Sequence, residues 1–124
     1  MDTALWLVAG ILAAANLAAG AFKLLSPYDK IVANTNLTWA EDFSPNQVRG
    51  IGLAELLGAA GLILPWATGI AEVLTPVAAV GIAAVQAGAF ATHARRGETK
   101  NLPVNAVLIA LAVFVAVGRF ADLG

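Results

Sequence analysis

The chain has 124 residues, of which 60% are hydrophobic and 12% charged, with a net charge of −1 and no cysteine. Soluble domains carry roughly 25% charged residues, and a chain this short has too little interior to surround several helices that are apolar on every side. The charge balance gives no signal for nucleic-acid binding, and the lack of cysteine excludes disulfides, thiolate metal sites and dithiol redox chemistry from this chain itself. With a mean hydropathy of +0.81, the expected solvent for the apolar faces is a lipid bilayer, and the expected organisation is one four-span domain over residues 1–124.

A helix needs about 20 mostly apolar residues to cross the hydrocarbon core. Four segments meet that test within tolerance: Thr3–Leu25, Gln47–Leu64, Pro76–Thr92 and Pro103–Phe120. In the first, Ala18-Ala19-Gly20 resembles a signal-peptide cleavage site, but Asp2 stands where a basic residue belongs, so the segment is read as a retained span. Ser44-Pro45-Asn46-Gln47 reads as an N-cap, a proline at the first helical position and a capping glutamine, which starts the second span. That span is expected to stop at Pro65. Thr75-Pro76 and Asn101-Leu102-Pro103 start the third and fourth spans in the same manner. The predicted fold is an all-α, integral membrane four-helix bundle.

The connection from Ser26 to about Asn46 is too long for a plain turn between packed helices. Ser26-Pro27-Tyr28-Asp29 is suited to cap a short helix through Ile31 and Val32, lying along the membrane surface with Trp39 and Phe43 as anchors. Trp6 and Trp66 read as interface anchors as well. Small residues four apart, such as Ala54 and Gly58, suit close helix packing in lipid.

Basic residues set the orientation. Lys23, Lys30, Arg49, Arg95, Arg96 and Lys100 belong to the first and third connections and their helix ends, against Arg119 alone on the other side. By the positive-inside rule those connections are expected in the cytoplasm and both termini on the non-cytoplasmic side of the cell membrane.

Polar side chains inside or at the edge of apolar spans are the candidates for function: Asn16, Lys23, Glu55, Gln86, His93 and Asn105. Asn16 and Lys23 lie two helical turns apart on one face of the first span, and Gln86 and His93 repeat that spacing on the third. Glu55 is expected roughly 10 Å deep, with Gln86 and Asn16 at similar depth and the other three nearer the surface. A carboxylate among lipid tails is costly and calls for a partner or a proton. Glu55 is thus either a protonated, ligand-contacting acid or half of a buried pair with Lys23, Gln86 or Asn105. The first reading is preferred, because Lys23 is long enough to reach the headgroups unaided. The lone His93 reads as a helix C-cap rather than a metal ligand, since metal sites need three or four donors.

The chain resembles the DoxX-like family of small four-span membrane proteins over nearly its whole length. The likeness rests on Gly20-Ala21-Phe22-Lys23-Leu24 with Pro27, on the run from Arg49-Gly50-Ile51-Gly52 through Glu55-Leu56-Leu57-Gly58 to Leu64-Pro65, and on Leu74-Thr75-Pro76. It continues in His93-Ala94-Arg95-Arg96-Gly97-Glu98 and Gly118-Arg119-Phe120. The resemblance implies a bundle without agreed catalytic residues, in a family named for a membrane subunit associated with thiosulfate:quinone oxidoreductase, with distant animal relatives that look like assembly factors.

No nucleophile motif or paired carboxylate occurs, and the expected function is non-catalytic: a subunit or binding protein whose polar half-pocket holds a lipophile with a polar head, a quinone or a lipid. Membership of a redox or other membrane complex and homo-oligomerisation are further expectations. Two alternatives stand beside it, a proton-coupled small transporter acting as an oligomer and an assembly or scaffold protein.

Overall fold

The computed structural model describes residues 2–33 and 38–123. Residues 34–37 of the first connection and the side chain expected to cap at Asn101 lie outside the described residues. Four long helices dominate: α1 (Asp2–Leu25), α3 (Pro45–Thr68), α4 (Leu74–Arg95) and α5 (Leu102–Leu123), each long and apolar enough to span a membrane. A short helix, α2 (Tyr28–Ala33), and a 3-10 turn at Thr38–Asp42 occupy the first connection, and a second 3-10 turn at Thr99–Asn101 precedes α5. There is no strand among the described residues.

The long helices form a ring in which α1 packs on α3, α3 on α4, α4 on α5 and α5 back on α1. Glycines set two of these contacts. A Cβ on Gly20 would lie 2.6 Å from the Gly52 carbonyl oxygen, and one on Gly52 would lie 2.9 Å from that of Gly20. Only hydrogen side chains allow α1 and α3 to approach this far, which is how helices associate when lipid removes the hydrophobic drive between them. Gly118 likewise admits the Leu5 side chain between α1 and α5.

The start of α3 is fixed locally. The Ser44 hydroxyl accepts from the Gln47 amide at 3.1 Å, and the Gln47 side chain accepts from the Ser44 amide at 2.9 Å, a reciprocal box with Pro45 at the first turn. Its end corrects the sequence expectation. The helix does not stop at Pro65 but runs on to Thr68, where Gly69 caps it in the left-handed conformation. Proline cannot donate to the carbonyl four residues back, so the Gly61 carbonyl should lose its donor. Thr75, fully buried on α4, donates its hydroxyl to that carbonyl at 2.9 Å and restores the missing bond from the neighbouring helix.

Burial is uneven along the ring. An apolar core of Ala9, Leu12, Leu62, Ala79, Ile82, Ala112, Val115 and Ala116 fills one part of the bundle. Large side chains such as Leu7, Leu57 and Val117 point outward, each at least half exposed. Charge and amide groups gather instead where α1 ends and α3 begins, beside a smaller apolar cluster of Ile31, Ala40 and Val48 under the first connection.

Candidate functional site

Between α1, α3, α4 and α5, covered by the turn at Thr38–Asp42, lies a cavity of about 710 Å³. Lys23, Glu55, Gln86, His93 and Asn105 all line it, together with Trp39 and Phe43. Five polar residues singled out in the sequence, from four helices, therefore meet around one space. The sixth, Asn16, lines a neighbouring cavity of about 370 Å³, of which Glu55 is also a wall.

Lys23 donates to Glu55 Oε1 at 2.7 Å, and the two residues are 6% and 5% exposed. The expectation that Lys23 reaches the headgroups without a partner is corrected by this contact. Its cause is the close crossing at Gly20 and Gly52, each three residues before one member of the pair, which holds the Lys23 stem against α3. The ammonium also stands 5.8 Å from the centre of the Trp39 ring, a cation–π distance.

Across the cavity the Asn105 side chain donates to Gln86 Oε1 at 2.8 Å, joining α5 to α4. Asn16 donates to the Leu12 carbonyl of its own helix at 2.8 Å. The carbonyl oxygens Asn16 Oδ1 and Asn105 Oδ1 are buried and accept no hydrogen bond. An unpaired buried acceptor costs about 1–3 kcal/mol.

The cover is fastened from two sides. Tyr28 donates its hydroxyl to the Ala40 carbonyl at 3.0 Å and also to that of Phe43, tying α2 to the turn. Arg96, just past the end of α4, bonds Glu41 at 2.9 Å, Asp42 at 2.8 Å and Glu98 at 3.2 Å. The carboxylates of Asp42, Glu41 and Glu98, in that order, push its pKa still higher, so Arg96 is a permanent cation at this joint. His93 Nδ1 lies 2.8 Å from Glu98 Oε1, and its ring meets the edge of Trp39 with centroids 6.4 Å apart. Trp39 is thus a wall of the cavity, packed on His93 and at 5.6 Å on Phe43.

Sequence reasoning missed one buried charge altogether. Arg119 is 1% exposed near the end of α5, bonded to Asp2 at 2.7 Å and Asp122 at 3.1 Å. Its guanidinium stacks over Trp66 at 4.5 Å and Trp6 at 5.3 Å. The available signal was Trp6 near the N-terminal end of α1 with Trp66 and Arg119 near the C-terminal ends of α3 and α5, each of which reads singly as an ordinary interface residue.

Four apolar spanning helices around a polar chamber define a multi-pass membrane protein. A family model described as the DoxX-like family matches residues 7–115, and the chain belongs to that family. Comparison with curated proteins and with solved structures gave no match.

Proposed function

We propose that this protein is a non-catalytic membrane subunit or binding protein that holds a lipophilic molecule with a polar head, a quinone or a lipid, in the chamber between its four spans. One observation carries the reading: a cavity of about 710 Å³ bounded by Lys23, Glu55, Gln86, His93 and Asn105 and by two aromatic rings. Sites for small molecules are typically about 300–1,000 Å³, mostly apolar, with a few convergent polar groups. Native mass spectrometry of gently purified protein, with extraction of the same sample, should recover a bound lipophile, and repeated preparations without one would sink the reading.

The basic residues around the covered end further support a cytoplasmic chamber mouth, with α2 and the turn at the membrane surface and both termini on the opposite side.

A further inference from the structure

The smaller cavity has a different character. Apart from Asn16 and Glu55, its walls are apolar side chains and glycines of α3 and α4, among them Leu57, Ala78, Gly81 and Ile82. Glu55 and Val85 line both cavities, so the apolar groove adjoins the polar chamber. Its width comes from residues without bulk: a Cβ built on Gly81 meets no atom within 4 Å. The Asn16 carbonyl oxygen, buried and without a donor, belongs to a residue in the groove wall beside Glu55.

We infer that the two cavities form one bipartite site for a single-chained amphiphile, the chamber taking a compact polar head and the groove between α3 and α4 taking its hydrocarbon chain. This deepens the binding reading and rests on it. A two-chained lipid has one chain too many for a single groove of about 370 Å³, whereas a ring or small head with one tail fills both spaces. Aromatic walls at Trp39 and Phe43 suit a flat head, which packs edge or face against them.

Two octyl 4-hydroxybenzoate probes, one with a diazirine on the ring and one with it at the chain end, test this in detergent-purified full-length protein. After photolysis, mass spectrometry reads the adduct positions. Ring adducts should fall on chamber residues such as Trp39 and Gln86, and chain-end adducts on groove residues such as Ile82 and Ala78. In Gly81→Leu, whose added side chain enters open space, groove adducts should vanish while ring adducts persist. Chain-end adducts scattered over outward residues of every helix, with ring adducts still in the chamber, would overturn the bipartite site and leave the binding reading standing. Groove adducts that survive Gly81→Leu would do the same. Ring adducts scattered as well would overturn both.

Discussion

Lys23 and Glu55 each follow by three residues a glycine that lets α1 and α3 touch, and their charged groups meet 2.7 Å apart beside that crossing. Glycine contact and ion pair are therefore one device, in which the first brings the second within reach. Removing one partner of a buried pair costs about 3–5 kcal/mol, because the survivor keeps its charge without compensation. Glu55→Gln should lower the midpoint of thermal unfolding in detergent by an amount in keeping with that, and adding Lys23→Met should recover much of the loss. An unchanged midpoint for Glu55→Gln would show that the contact does not bear on stability. Gly52→Ala should weaken the same crossing by about 1–3 kcal/mol through overpacking.

Thr75 and Pro65 form a second testable couple. Thr75→Val leaves the Gly61 carbonyl unpaired and should cost about 1–3 kcal/mol, whereas Thr75→Ser should be near neutral. Pro65→Ala supplies a backbone donor for the same carbonyl, so the Thr75→Val/Pro65→Ala protein should regain most of the stability. Equal losses from Thr75→Val with and without Pro65 would contradict this account.

Arg119 offers a contrast between charge and shape. Lysine keeps the charge but presents no planar face to Trp6 and Trp66. Arg119→Lys and Arg119→Leu should both destabilise, and in both the tryptophan emission should shift as the two indoles lose their stacked cation. An emission spectrum identical to the parent's would remove the stacking from the explanation.

The chamber can be filled by one substitution. Gly88 lines it, and a Cβ there meets no atom within 4 Å. Gly88→Leu should fold at least as well as the parent, since leucine is a better helix former by somewhat under 1 kcal/mol. Its bound lipophile, measured by native mass spectrometry, should fall well below the parent's. Full occupancy in a folded Gly88→Leu protein would place the ligand elsewhere.

Cysteines introduced at Thr68 and Thr99 test the orientation in intact cells, and both positions are exposed. An impermeant maleimide should label the first and not the second. The reverse pattern would move the chamber mouth to the other side of the membrane.

Much of this molecule was legible in its sequence because lipid simplifies the reading. Where every ordinary span residue is apolar, Glu55, Gln86 and Asn105 stand out without structural help, and Ser44 with Gln47 marks the α3 start through contacts three residues apart. What escaped depends on partners distant in the chain. The passage of α3 through Pro65 needs Thr75 on another helix, and the burial of Arg119 needs Trp6, Trp66 and Asp2. Arg96 reads as one more basic residue beside the bilayer until Glu41 and Asp42 are brought to it. The close crossing that denies Lys23 its route to the headgroups is set by two glycines among the 12 in the chain, with nothing local to distinguish them.

The Asp2–Arg119 contact joins residues 117 positions apart, and that separation imposes an order on biosynthesis. Chains emerge from the amino end, so α1 and α3 are made long before α5. They can enter the bilayer as a hairpin that brings its own ammonium and carboxylate in together, each neutralising the other on arrival. The seam between α1 and α5 has no second edge until α5 has been translated through Gly118 and Arg119. Until then the flank of α1 that carries Leu5, later seated against Gly118, faces lipid, and a truncation that removes Gly118 and Arg119 leaves the ring open at that seam.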